Sequence, residues 1–169
     1  EGTLGCVTLS TEGLADLNGC LTQWHSHESI GGDTAWDHQR GVEVHPDMRC
    51  PRTEQTKQLS FVNPPPDHVV FMLRPRFDAL TGKKLPGSVT YPHNGLDLSP
   101  YMASPVPPEG ALYTLYAVGL HHGTSARSGH YTAAVRYASD PHGDWYYHDD
   151  DNGPTNIGAP PSPSTPFPR

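Results

Sequence analysis

Tyr113 to Asp151 reads YTLYAVGLHHGTSARSGHYTAAVRYASDPHGDWYYHDDD, and the patterning of these residues decides the fold. Leu112 to Leu120 is dense in Tyr, Leu and Val, which predicts a strand buried on both faces. His121 to Gly129 is polar and bracketed by glycine, a loop; His130 to Tyr137 is a second strand and Trp145 to His148 a third. Strands in sequence joined by short connections predict an antiparallel meander. His130 then stands at a hairpin exit, after a glycine that permits close backbone approach, and Asp149 and Asp150 follow Trp145 at four and five residues. A strand carrying both carboxylates points them to opposite faces, so one can meet a histidine. A carboxylate bonded to one ring nitrogen fixes the tautomer and prepares the other nitrogen to take a proton, which is half of a general-base apparatus. The plainer reading takes His130 as one of eleven histidines and Asp149, Asp150 and Asp151 as a solvated strand end.

Outward from this segment, the apolar positions Leu14, Leu17, Leu21 and Trp24 predict a short amphipathic helix within residues 9 to 30. Residues 31 to 56 are polar and read as a loop excursion. His68 to Leu73 is a β-branched and aromatic run, a buried strand that Pro75 closes. Thr81-Gly82 and Asn94-Gly95 are turns, Val89 to Tyr91 is a short strand, and Ser104 to Gly110 is a loop. The last sixteen residues hold six prolines, which predicts a flexible tail over 153–169.

Composition narrows the function. A formal charge of −7 without clustered Lys and Arg argues against a nucleic-acid binder and suits a basic partner. No apolar run approaches the ~20 residues of a membrane span, so no membrane partner is expected. Three cysteines, Cys6, Cys20 and Cys50, are too few for a disulfide framework and point to a reducing compartment. Only 34% of the residues are hydrophobic and nineteen are proline, so either much of the chain is loop or its core is completed by segments outside these 169 residues. The start at Glu1 agrees with an incomplete front. Cys20, His25, His27, His38, His45 and Cys50 fall close in sequence, but His25 and His27 are the one tight pair, and zinc needs paired bites; no metal is expected.

The series Tyr113-x-Leu115-x-Ala117-Val118, His121-x-Gly123, Gly129-His130-Tyr131, Trp145 and Asp149-Asp150 resembles the histidine box of the ubiquitin-specific proteases, papain-like cysteine deubiquitinases. Upstream, Lys57-Gln58-Leu59, the strand ending Leu73-Arg74-Pro75-Arg76-Phe77, Lys84 through Val89, Pro92, Leu96-Asp97-Leu98 and Tyr101 resemble the family's palm, with Pro75 as an extra residue. Leu17-Asn18-Gly19-Cys20-Leu21 with Glu28 resembles its helix before the fingers. The likeness covers roughly residues 14 to 152. It implies an α+β, papain-like fold, mostly the antiparallel β palm and fingers with the thumb missing: residues 1–152 as the C-terminal portion of a catalytic domain, with a degenerate fingers region at 31–56. It implies His130 as the base that takes the thiol proton, Asp149 as its orienter and Asp150 as a polar neighbour, with His121, Gly123, Gly129 and Tyr131 on the substrate side. His122 to Ser128 and the stretch around Tyr91 to Tyr101 correspond to loops flanking the groove for ubiquitin's cationic tail. Partners are then ubiquitin, ubiquitinated proteins and the missing N-terminal half of the domain; no cofactor is implied, and the location is cytoplasmic or nuclear.

The family's fingers often hold zinc through two Cys-x-x-Cys pairs, of which Cys50 alone survives. None of the three cysteines stands in the Gly-x-x-Asn-x-Gly-Asn-x-Cys context of the family's nucleophile. The resemblance therefore leaves two readings: an enzyme part whose thiol lies outside these residues, inactive by itself, or a ubiquitin-binding or scaffold module that has lost the thiol.

Overall fold

The computed structural model of the chain describes residues 4–31, 55–62, 64–74, 77–78, 80–106, 110–125, 127–139, 142–150 and 152–162. His38, His45 and Cys50, and with them most of the expected fingers region, lie outside the described residues.

Helix α1 spans Leu17–His25. Asp16 caps it, its carboxylate accepting from the Gly19 amide at 2.8 Å and satisfying one of the orphan donors of the first turn. Leu17, Cys20 and Leu21, at i, i+3 and i+4, form the stripe that the helix buries. They meet Leu9, Phe61, Leu96, Leu98, Tyr101, Met102 and Ala111 in the main core. Leu9 and Leu21 are fully enclosed. Each such burial stabilises the fold by roughly 1.5–3 kcal/mol.

Strand β1, Leu4–Ser10, lies parallel to β4, His68–Arg74, in a register that runs from Leu4↔His68 to Ser10↔Arg74. β4 forms where a strand is expected but is not buried, Val70 and Met72 being 45% and 55% exposed, whereas β1 is absent from the expectation. Inward side chains fall only at Val7 and Leu9, with Gly, Cys, Thr and Ser around them, too weak an alternation to announce a strand. β2, Glu28–Ile30, and β3, Gln55–Lys57, pair antiparallel at the two ends of the polar excursion. The strand expected at Val89 to Tyr91 reduces to one bridge, Asp16↔Thr90, at the helix entry. There Leu17 N donates to Thr90 O and Thr90 N to Ala15 O, both at 2.8 Å.

The expected strand from Leu112 to Leu120 is two strands in two sheets. β6, Leu112–Tyr113, pairs with β5, Leu96–Asp97, and β7, Ala117–His122, pairs with β8, His130–Arg136. Between them Leu115 N donates to His93 O, and Tyr116 O accepts from Arg136 N, so the backbone changes partners at this point. It is also not buried on both faces: Leu112 is 67% exposed. The meander itself forms, with β9, Trp145–Asp149, beside β8.

A further strand, β10, Asn152–Gly158, completes the sheet in the order β10-β9-β8-β7. It runs six residues into the stretch read as flexible tail. Pairing with β9 satisfies backbone groups that composition alone leaves uncompensated. Further on, Pro161 is buried, and its carbonyl accepts from the Tyr91 hydroxyl at 3.1 Å.

Candidate active site

Alternation along β8 and β9 sorts their side chains into two faces. Thr132 and Ala134 on β8, with Trp145 and Tyr147 on β9, are buried. His130 and Asp149 continue the same two rows to the end of the sheet, where the buried stripe meets solvent. There His130 Nε2 lies 2.8 Å from Asp149 Oδ1. Asp149 is the last residue of β9; Asp150 lies in the turn beyond it and is exposed. The structure therefore brings Asp149, and not Asp150, to His130.

The His130 and Asp149 side chains are 44% and 23% exposed. A pair so open to water contributes at most about 1 kcal/mol to stability. Its consequence is chemical. A carboxylate acceptor holds the imidazole hydrogen on Nε2, which puts the basic lone pair on Nδ1.

His122, at the end of β7, stands opposite His130 in the ladder and turns its ring to the buried Thr132, Nε2 to Oγ1 at 2.7 Å. Sequence reading passes over this pair. Its only signal is the period-two spacing that puts Thr132 on the inward row with His130.

His121 and Tyr131 are the next ladder pair, so they occupy the opposite face from His130. Their rings lie 4.8 Å apart, and Tyr131 is 71% exposed. Gly129 joins the two faces. A Cβ there would run into the His121 imidazole and come to 2.5 Å from the His122 carbonyl oxygen, so only glycine lets the chain pass. At Gly123, with φ +150°, a Cβ would meet Ser128 O at 2.8 Å and Gly129 Cα at 3.0 Å. The β7–β8 connection is thus pinched shut directly before His130. Of the Tyr91 to Tyr101 stretch, Tyr101 is buried, its hydroxyl donating to Asn18 O at 3.3 Å, so that end belongs to the core and not to a groove wall.

Cys20 is sealed in the core, where burial, and after it the charge of Asp16, pushes its thiol pKa up. A thiol held protonated in the interior is no nucleophile. Cys6 is exposed on β1. Among the described residues no three His, Cys, Asp or Glu side chains come together to hold a metal ion. His25 engages Leu59 O at 2.7 Å through Nδ1 and the Gln58 amide at 3.0 Å through Nε2. No described helix is long and apolar enough to cross a membrane.

The sequence profile described as ubiquitin carboxyl-terminal hydrolase matches residues 13–155. Among curated proteins, the mouse ubiquitin carboxyl-terminal hydrolase 17-like protein E is 40% identical over 103 residues, 60% of this chain and 18% of that protein. The human 17-like protein 12 is 31% identical over 145 residues, 85% of this chain and 24% of its own length. Ubiquitin carboxyl-terminal hydrolase 12 of Saccharomyces cerevisiae is 31% identical over 138 residues, 79% of this chain and 10% of that protein. The chain therefore spans between a tenth and a quarter of these relatives. Among solved structures, the SAGA Ubp8/Sgf11/Sus1/Sgf73 DUB module bound to ubiquitin aldehyde superposes with a TM-score of 0.67 at 20% identity, covering 90% of this chain and 32% of the other. That likeness agrees with a papain-like fold, here mostly β with one α-helix among the described residues.

Proposed function

The chain belongs to the ubiquitin carboxyl-terminal hydrolase family, and from that premise we propose that it is the C-terminal part of a cysteine deubiquitinase domain, histidine box included. In this reading it supplies the His/Asp half of the site, and a segment outside these 169 residues supplies the thiol. The 2.8 Å contact from His130 Nε2 to Asp149 Oδ1 carries the proposal. His130 Nδ1 takes the proton from the thiol, and Asp149 holds the ring in the tautomer that can do so. The thiolate attacks the carbonyl of ubiquitin's terminal glycine, and the imidazolium returns the proton to the departing amine. Water then cleaves the thioester. Asp150 remains a polar neighbour, and Gly123 and Gly129 shape the backbone approach to His130.

The expected missing thumb has physical support. A parallel strand pair is ordinarily covered on both faces, yet Leu4, Val70 and Met72 on β1 and β4 are 68%, 45% and 55% exposed, and Cys6 lies open beside them. Ubiquitin and its conjugates are the proposed partners, with the net charge of −7 suiting a cationic tail, and the proposed location is the cytoplasm or the nucleus.

Reaction of a longer form with ubiquitin carrying a C-terminal vinyl sulfone tests the reading. The expected result is one labelled cysteine outside Glu1–Arg169, lost in His130→Ala. Ubiquitin binding without labelling would identify the non-catalytic scaffold instead, and labelling that survives His130→Ala would overturn the role given to this histidine.

A further inference from the structure

The loop before His130 is tied down by a segment distant in sequence. Phe77 and Lys84 bridge the ends of a tight turn whose interior is organised by Asp78. The Asp78 carboxylate accepts from Leu80 N, Thr81 N and the Thr81 hydroxyl at 3.1, 2.6 and 2.7 Å, and Asp78 N donates to Lys83 O at 2.8 Å. This stiffened turn presents Lys83 and Lys84 to the β7–β8 connection. Lys83 bridges Ser125, Lys84 N donates to Thr124 O at 2.7 Å, and the Lys84 ammonium donates to His121 O at 3.3 Å. His121 in turn packs its ring against Gly129, the residue before His130.

We propose that Lys84 is a positioning residue for His130: its ammonium holds the His121 carbonyl, and His121 through Gly129 sets where the imidazole enters the site. The inference rests on the catalytic reading above for its functional consequence, but not for its structural part. Two features separate Lys84 from an ordinary surface lysine. It is half-buried, and its backbone and side chain grip two different residues on either side of the pinch at Gly123. Loss of the ammonium leaves the backbone bond to Thr124 in place, so the turn stays attached while the His121 end is released.

The test compares Lys84→Met, which keeps the stem, with Lys84→Arg, which keeps the charge. In the 169-residue chain, amide exchange at the β7–β8 end is expected to quicken about tenfold in Lys84→Met, the low end for a hydrogen bond from a charged donor, and to return to within about threefold in Lys84→Arg. Amides of β1 and β4 should stay within about twofold, which distinguishes release of the loop from general loosening. In a thiol-bearing longer form, kcat on a ubiquitin C-terminal amide is expected to fall about tenfold in Lys84→Met with KM nearly unchanged, and Lys84→Arg restores it. Unchanged loop exchange in Lys84→Met overturns the proposal whatever the activity. Quickened exchange with unchanged kcat also overturns it, since the loop would then not position the base. A longer form that hydrolyses nothing even as wild type counts against the catalytic reading, while exchange and the His130 imidazole NMR signals still decide whether Lys84 holds the ring.

Discussion

Gly129→Ala tests the geometry before His130 most directly. The added Cβ would lie 2.5 Å from the His122 carbonyl oxygen and 2.8 Å from His121 Cε1, against an ordinary contact that begins near 3.4 Å. The imidazole can swing away, but the carbonyl belongs to the β7–β8 ladder and cannot move without the strand. Overpacking of this kind costs about 1–3 kcal/mol. If the strain is relieved by opening the end of the hairpin, native-state amide exchange there should quicken roughly 5- to 160-fold. Gly119→Ala is the internal control, because it lies in β7 with nothing within 4 Å of the new carbon. With space available, replacing glycine reduces the entropy of the unfolded chain, and opening should slow by about 2- to 5-fold. Hydrogen exchange by NMR on the two variants and the parent reads both signs in one experiment. If Gly129→Ala exchanges within about threefold of the parent, the close approach is not a constraint, and the account of how His130 is held fails with it.

Three further outcomes follow from the same geometry. Asp149→Asn should release the tautomer of His130, seen as loss of the fixed Nε2 proton in ¹⁵N imidazole spectra; in a thiol-bearing form kcat should fall on the order of 10²–10⁴ with stability changed by about 1 kcal/mol or less. Because burial raises the Cys20 pKa, the unfolded chain loses this proton first, so stability should fall as pH rises from about 8.5 through the raised value, by at most about 1.4 kcal/mol per pH unit. Cys20→Ala should remove that alkaline slope in urea titrations, and native Cys20 should resist iodoacetamide under conditions that alkylate Cys6. Asp78 has its pKa lowered by the Thr81 hydroxyl first and by the Thr81 amide next. The stability it lends its turn is present above the ordinary carboxylate pKa of about 3.9 and lost as pH falls through the depressed value. The protection of the Lys84 amide, taken relative to the intrinsic exchange rate at each pH, should therefore fall in acid, and Asp78→Asn should abolish that dependence.

Legibility in the sequence followed the strength of local pattern. The helix at Leu17–His25 was legible because Leu14, Leu17, Leu21 and Trp24 recur at helical spacing, while the Asp16 cap and the burial of Cys20 appear only in the structure. β4, β8 and β9 were legible as runs of β-branched and aromatic residues with breaks at their ends. β1 was not, because its Gly, Cys, Thr and Ser positions are polar or small and its partner lies some sixty residues away. β10 contradicted its composition for another reason: a strand rich in Asn and Gly forms because β9, next to it in the chain, offers a ladder. The division of Leu112 to Leu120 followed from a change of hydrogen-bond partner, which no property of those nine residues encodes.

From the sequence, resemblance to the family pattern set a histidine at a hairpin exit and an acid after a tryptophan in one expected constellation, and strand alternation said that one of two aspartates can meet the histidine. The sequence also determined that none of the chain's cysteines stands in the family's nucleophile context. Tertiary structure alone decided which carboxylate meets His130, because β9 ends at Asp149 and places Asp150 in the following turn. It alone decided that His121 and Tyr131 face away from His130, a consequence of the ladder register. Contacts between residues distant along the chain, Lys84 to His121 and Tyr91 to Pro161, likewise exist only once the chain has closed on itself. Side-chain pattern encodes which face is buried; hydrogen-bond register and chain termination decide which atoms meet, and those depend on every strand at once.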